Sequence, residues 1–298
     1  MQIGIAGTGR MGAAIATRLL DRRHTVVVWN RTAEKTGALA AAGATVAATP
    51  QELSTAVDCI ITMLTDAAAI DATYQGQSGL LAGEVRGKLF IDMSTVRPEI
   101  EIALAAKVRE KGAALIECPV GGTVGPAKEG KLFGFVGGDA GDVALAKPLL
   151  DDLCRRVEHV GAVGTGASMK LAINLPLLVY YQVLGEALSL CRSLDIAPAR
   201  LIDIFADTSG GPNMLKVRGP AIAATLQGKE TTPVTFDVDL IRKDLCTMHE
   251  EAAGLGVSLP LTARALECYD AAARDGLGAS DATMLPANWL RESGREVP

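Results

Sequence analysis

Gln2-Ile3-Gly4-Ile5-Ala6-Gly7-Thr8-Gly9-Arg10-Met11-Gly12 is the stretch on which the reading of this chain turns. Gln2–Ala6 is a short apolar run of strand type. It passes without a linker into a G-x-G-x-x-G loop, and an amphipathic helical pattern follows from Met11 to about Asp21. The glycine pattern alone is weak, but between a strand and a helix it reads as a dinucleotide-binding loop. Gly7 permits the tight turn, Gly9 lets the backbone approach a pyrophosphate, and Gly12 lets the helix pack closely on the strand. Thr8, Arg10 and Met11 complete the loop, where the free N–H groups and positive dipole end of the helix meet phosphate.

The end of the second strand selects the nucleotide. Thr25–Trp29 (TVVVW) reads as a strand buried on both faces. An NAD site carries Asp or Glu about 20 residues past the loop to bind the ribose 2′-hydroxyl. Here the strand ends in Asn30-Arg31-Thr32, with no carboxylate to repel a 2′-phosphate. Arg31 can pair with that phosphate and Thr32 adds a hydroxyl donor. The expected cofactor is therefore NADP(H).

Outward from this loop, residues 1 to about 160 alternate strand-like and helical runs. The strands expected are Gln2–Ala6, Thr25–Trp29, Cys59–Met63, Lys88–Asp92, Ala114–Glu117, Leu132–Val136 and Val157–Val160. The helices expected are Met11–Asp21, Thr32–Ala42, Pro98–Lys111 and Gly141–Leu153, with Gly43, Pro50, Gly79, Gly87, Pro98 and Gly137-Gly138 marking breaks. This alternation predicts an α/β Rossmann domain, a doubly wound, mostly parallel sheet covered on both faces. Beyond Gly161-Ala162-Val163-Gly164-Thr165-Gly166, a long pattern from Ala167 to about Leu194 is apolar around most of its circumference. Such a helix is buried on nearly every side, in a core or a subunit interface, and Pro176 inside it should produce a kink. Pro198–Ala206, Asp239–Leu255 and Leu261–Asp275 also read as helices. The expected division is a nucleotide-binding domain over 1–162 and an all-α C-terminal domain over 163–298, joined by the long helix.

The 298 residues are 49% hydrophobic, enough for two cores, and Lys+Arg 29 against Asp+Glu 34 leaves a net charge of −5 with no single-sign block. Nothing in this balance points to nucleic acid or an anionic membrane. No apolar run reaches the ~18 residues of a membrane span, and no secretory leader is visible. The six cysteines are widely spaced, with no C-x-x-C pair, and there are three histidines. They suggest small core residues in a cytoplasmic, metal-free protein.

Ala167-Ser168-Met169-Lys170-Leu171-Ala172-Ile173-Asn174 places Lys170 and Asn174 four apart, on one helix face of a greasy segment. A lysine in partly apolar surroundings beside a nicotinamide has its ammonium form disfavoured, and so can exchange a proton with a substrate oxygen. Asn174 can hold the lysine or the same oxygen. Spacing alone leaves a snorkelling lysine equally open.

The motifs taken together resemble the β-hydroxyacid dehydrogenase family, which includes 3-hydroxyisobutyrate dehydrogenases, tartronate semialdehyde reductases and glyoxylate/succinic semialdehyde reductases. The resemblance spans nearly the whole chain. It runs through G-I-A-G-T-G-R-M-G at the start, D-M-S-T at Asp92–Thr95 and C-P-V-G-G at Cys118–Gly122. It continues through G-x-L-x-x-x-V-G-G ending at Gly138, G-x-G-x-x-x-K-x-x-x-N from Gly164 to Asn174, and K-D-L at Lys243–Leu245. It implies that Lys170 is the general acid toward the carbonyl oxygen while NAD(P)H delivers hydride, and that Asn174 orients substrate. By the same resemblance Lys243 lines the nicotinamide and substrate pocket, and Thr95, Leu64 and Thr65 lie beside the cofactor. Members are typically dimers or tetramers, and a homodimer is expected here. Without the resemblance, Lys243-Asp244 would read as a solvated helix face.

One departure bears on the substrate. The family usually reads A-P-V-S-G-G, its serine gripping a substrate carboxylate, whereas this chain has Cys118-Pro119-Val120-Gly121-Gly122-Thr123. The N–H groups of Gly121, Gly122 and Thr123 can still form an anion-binding nest, with the Thr123 hydroxyl as a substitute donor. The expected activity is NADP(H)-linked interconversion of a small β-hydroxy acid and its semialdehyde, with a bulkier or carboxylate-free substrate as a consequence of Gly121. An imine reductase on the same fold, disfavoured by Lys170, and a non-catalytic NADP-binding domain are the alternatives.

Overall fold

The computed structural model describes residues 2–229 and 233–292, so residues 1, 230–232 and 293–298 of the two expected domains lie outside the description. The chain divides into two compact units, Met1–Leu171 and Ala172–Pro298.

Among the described residues the first unit holds nine strands: β1 (Gln2–Ala6), β2 (Thr25–Trp29), β3 (Thr45–Val46), β4 (Cys59–Thr62), β5 (Leu89–Asp92), β6 (Ala114–Glu117), β7 (Val120–Gly121), β8 (Leu132–Gly137) and β9 (Cys154–Gly161). Its helices are α1 (Arg10–Asp21), α2 (Gly37–Ala41), α3 (Pro50–Ala56), α4 (Ala67–Gln75), α5 (Pro98–Glu110), α6 (Val124–Glu129) and α7 (Ala140–Leu153), followed by the start of α8 (Thr165–Leu190). The sheet order is β3-β2-β1-β4-β5-β6-β8-β7, with β9 beside β8. All neighbours from β3 to β6 run parallel, β8 is antiparallel to β6 and β7, and β9 runs parallel to β8. The mostly parallel Rossmann sheet expected from the alternation is present. Side chains along each strand point alternately to opposite faces, and the core splits accordingly. Ile3, Ile5, Ile61, Ile91 and Ile116 join Ile15, Leu19 and Leu149 on one face. Ile60, Phe90 and Leu115 join Leu53, Tyr74 and Leu104 on the other. Both faces being covered is why these strands read as continuous apolar runs.

Three local expectations need correcting. The helix expected over Thr32–Ala42 is a 3₁₀ turn, Ala33–Thr36, followed by the short α2. Pro50, read as a break, is instead the first residue of α3, where a missing N–H costs nothing; Thr49 caps that helix by accepting the Glu52 N–H at 3.1 Å. The last expected strand is longer, Cys154–Gly161.

The second unit contains the rest of α8 and α9 (Pro198–Ala206), α10 (Asn213–Leu226), α11 (Val238–Gly254), α12 (Pro260–Ala272) and α13 (Leu285–Glu292). The pattern expected to run to Asp275 leaves α-helical geometry after Ala272, passing into a π turn, Ala273–Leu277. Buried polar bonds pin the helices: the Tyr269 hydroxyl donates to the Leu178 carbonyl at 2.6 Å, and the Trp289 indole N–H to Gln182 Oε1 at 2.7 Å. Asp281 accepts the Thr235 N–H at 2.8 Å and the Thr283 N–H at 3.1 Å, and pairs with Arg218 at 2.5 Å.

Helix α8 runs continuously through Pro176. Within this chain it is not buried on nearly every side. Val183 is 48% exposed and Leu190 87%, and Met169 and Ile173 also face outward. By length and composition α8 is apolar enough to cross a bilayer, which counting unbroken apolar runs missed because Lys170, Asn174, Gln182 and Glu186 interrupt it.

Candidate active site

The strand order reverses between β1 and β4, and the crevice beyond their carboxyl ends is where ligands bind in open α/β sheets. The glycine loop lies there. Gly7 has φ +96, and a side chain on it would run into the Met63 carbonyl beyond β4; a Cβ on Gly12 would strike the Gly7 carbonyl. Gly9 is different: nothing lies within 4 Å of where its Cβ would be. Its freedom is therefore not needed for internal packing, and it leaves the loop open to an incoming group. Among the described residues no side chain caps the start of α1, which begins at Arg10, and Met11 packs partly into the core. The Thr8 N–H donates to Asn30 Oδ1 at 2.9 Å, while Asn30 Nδ2 donates to the Thr32 carbonyl at 2.9 Å. Asn30 thus ties the glycine loop to the end of β2 and leaves Arg31 and Thr32 exposed beside it. A cleft of about 370 Å³ follows, lined by Gly7, Gly9, Asn30, Arg31, Leu64 and Thr65 among others. An uncapped helix start, an open glycine and a cationic rim fit a dinucleotide phosphate.

The D-M-S-T stretch organises the next loops. Asp92 is fully buried and accepts the Thr62 hydroxyl at 2.5 Å and the Ser94 N–H at 2.7 Å; the Ser94 hydroxyl accepts the Leu64 N–H at 3.0 Å. These bonds fix the loop bearing Leu64 and Thr65 against the loop bearing half-buried Thr95. Gly121 ends β7, Gly122 follows with φ +126, and Thr123 precedes α6 without its hydroxyl being spent on a cap.

Lys170 is half-buried one turn into α8, and Asn174 lies one turn further along, 5% exposed. Asn174 Nδ2 donates to Asp244 Oδ2 at 3.3 Å, and the Lys243 ammonium pairs with Asp244 Oδ1 at 3.0 Å. Asp244 was not singled out by the sequence reading. It is buried, and it bridges two polar residues that the reading placed at the site, so the K-D pair is not a solvated helix face. Both Asn174 and Lys243 are thereby held by one carboxylate, which restricts their rotamers.

A second residue that the sequence did not flag is Glu117, at the end of β6. Its fully buried carboxylate accepts the N–H groups of Gly164 (2.5 Å) and Gly166 (2.9 Å) on Oε1 and of Ala167 (3.2 Å) on Oε2. Burial pushes this carboxyl up to about 7 against the pull of those three donors, and neighbouring Asp92 adds to the rise. Its partners lie 47 to 50 residues away in the chain, so no local pattern could reveal it. Three of the cysteines, Cys59, Cys118 and Cys154, are buried as expected of small core residues; Cys246 is exposed. Among the described residues no group of three His, Cys, Asp or Glu side chains is placed to hold a metal.

A doubly wound nucleotide domain followed by a helical unit defines a pyridine-nucleotide oxidoreductase architecture. A model of the NAD-binding domain of 6-phosphogluconate dehydrogenase matches residues 2–161, and one of the NAD-binding region of NADP-dependent 3-hydroxyisobutyrate dehydrogenase matches 164–287. Glyoxylate/succinic semialdehyde reductase 1 of Arabidopsis thaliana is 32% identical over 94% of this chain and 96% of its own length. The 3-hydroxyisobutyrate dehydrogenase of Pseudomonas aeruginosa is 31% identical over 90% of each. Among solved structures, Psf3 in complex with NADP+ and 2-OPP superposes with a TM-score of 0.85 at 28% identity, covering 98% of this chain and all of that one. The chain belongs to the β-hydroxyacid dehydrogenase family.

Proposed function

We propose that this protein is an NADP(H)-dependent reductase of small semialdehydes, or the reverse dehydrogenase of the matching β-hydroxy acids. The observation that carries the reading is a half-buried Lys170 on the helix that follows a complete nucleotide domain, with Asn174 fixed one turn beyond it. When bound, the reduced nicotinamide supplies the hydride. Lys170 then donates its proton to the carbonyl oxygen, and Asn174, steadied by Asp244, orients that oxygen. Arg31 and Thr32 take the 2′-phosphate, and the Gly121–Thr123 N–H groups take an anionic or polar substrate group. The N-terminal 162 residues hold the cofactor and contribute the Gly121–Thr123 contact to substrate; the remainder serves substrate and self-association.

Replacing Lys170 with Ala should leave NADPH affinity unchanged and lower the turnover of succinic semialdehyde by roughly 10²–10⁴, the scale of a positioned acid. Full turnover in that variant would remove the lysine from the mechanism, and equal use of NADH would remove the assignment of Arg31. The outward apolar residues of α8, Met169, Ile173, Val183 and Leu190, support a homodimer. Light scattering on the eluted protein reads its mass directly, and a monomer contradicts that part.

A further inference from the structure

The Glu117 carboxylate occupies a place built for it. The first-turn N–H groups of a helix have no intrahelical partner, and this one side chain meets those of Gly166 and Ala167 in α8 together with that of Gly164 just before it. Two glycines keep the room. A Cβ on Gly137 would strike Glu117 Oε1 and stand 2.7 Å from the Ala162 carbonyl oxygen. A Cβ on Gly166 would strike the Phe135 carbonyl and stand 3.3 Å from Glu117 Cδ. These glycines of the V-G-G and G-x-G motifs therefore serve the acid beneath the helix, not a nucleotide.

Lys170 follows Gly166 by four residues and Ala167 by three, so it lies over the capped donors on the same helix face. We propose that Glu117 is a positioning residue which, by tying down the first turn of α8, sets where Lys170 presents its amine. This rests on the reading of Lys170 as the proton donor. With the carboxyl ionised, all three donors are met. A proton on Oε2 confronts the Ala167 N–H donor to donor and releases that bond. Asp92 at the end of β5 and Glu101 on α5 are ionisable groups facing Glu117, and the buried Cys118 thiol lies beside it. From β8 it meets Gly137, and from α8 the backbone of Gly166 and Ala167. His159 on β9 turns its Nε2 to the Gly138 and Gly161 carbonyls at 2.9 and 3.0 Å. The Glu117 carboxyl, raised to about 7 by burial and by Asp92, changes charge within the range where such an enzyme works. The cap, and with it the lysine, is therefore pH-dependent.

Glu117→Gln and Glu117→Asp test this with succinic semialdehyde and NADPH across about pH 6 to 9. Wild-type kcat should fall as pH drops below about 7. In Glu117→Gln that limb should vanish and kcat at high pH should be lower by roughly tenfold, the scale on which losing an N-cap shifts a helix equilibrium. KM and NADPH affinity should not move, and Glu117→Asp should restore the limb in part. The second readout needs no turnover: amide hydrogen exchange at Gly166 and Ala167 should quicken about tenfold in Glu117→Gln and stay at the wild-type rate in Lys170→Ala. Unchanged exchange, or a retained acid limb in Glu117→Gln, overturns the proposal. Quickened exchange in a protein whose wild type reduces no semialdehyde confirms the cap and removes the catalytic reading instead. If Glu117→Gln does not fold, Glu117→Asp decides by the same two readouts, and wild-type values in both overturn the proposal.

Discussion

At Gly121 the backbone does not require glycine. Its φ is outside the left-handed region, unlike that of Gly122 at +126. An added Cβ would meet Phe133 Cβ and Phe135 Cε2 at 3.7 Å, which is ordinary contact. The fold would accept a side chain here, so packing does not account for the glycine. Gly121→Ser should therefore leave the unfolding free energy nearly unchanged, within about 0.5 kcal/mol as for other strain-free surface changes. If a substrate carboxylate comes to this position, the new donor should lower KM for succinic semialdehyde roughly tenfold or more, the worth of a hydrogen bond to a charged group. A KM that does not move places the carboxylate elsewhere and favours a substrate without one. The glycine loop and the Gly121 departure are visible in local sequence, whereas Lys170 stands out only through the family resemblance, since its spacing alone leaves a snorkelling lysine equally open. Glu117 and Asp244 are not visible there, since a buried carboxylate acquires meaning only from the distant donors it meets.

At the scale of elements, strands β1, β2, β4, β5 and β6 were legible because both faces of the sheet are buried and each is apolar apart from a polar residue at one end. The two-residue strands β3 and β7 carry no such run and exist through pairing with β2 and β8. Helix α10 was missed for a different reason: Gly219-Pro220 lies within it and reads as a break. Tertiary contacts override that signal, since Gly219 lets the helix approach Ile202, whose Cγ2 would stand 2.8 Å from an added Cβ. Between α10 and the turn before α11, Asp281 gathers Arg218, Thr235 and Thr283, and it is 3% exposed. Burial alone would raise its carboxyl, but the Thr235 N–H, Arg218 and the Thr283 N–H outweigh it and hold the carboxyl below its usual range. Asp281→Asn leaves Arg218 without its counter-charge, and breaking a buried pair from one side costs about 3–5 kcal/mol. Urea unfolding near neutral pH should show that loss as a lower midpoint. A midpoint within error of wild type would mean that solvent already screens the pair.

For the molecule as a whole, the direction of its acid response follows from where its carboxyls lie. Glu117 is held in the folded state at about 7 against an ordinary value of 4.5, with burial as the main cause. Asp92 is raised by burial against its bonds to Thr62 and Ser94, and Glu101 is raised strongly by burial and by Asp92. A carboxyl raised on folding takes up its proton more readily folded than unfolded, so its contribution favours folding at low pH. For Glu117 that contribution is complete below about 4.5 and is lost as pH rises through about 7. At 1.36 kcal/mol per pH unit the swing is about 3 kcal/mol for this group. Asp152, beside His24 and Arg22, and Asp281 are held below their ordinary value, so they oppose this only when pH falls below about 4. Between about pH 8 and 5 the raised group prevails, and the nucleotide-binding unit should become more stable as the solution is acidified. Calorimetric melting across that range should show a rising Tm in wild type and in Asp281→Asn, and a flatter curve in Glu117→Gln. A wild-type Tm that falls steadily from pH 8 to 5 would mean that the carboxyl under α8 is ionised throughout, and the pH dependence assigned to the cap would go with it.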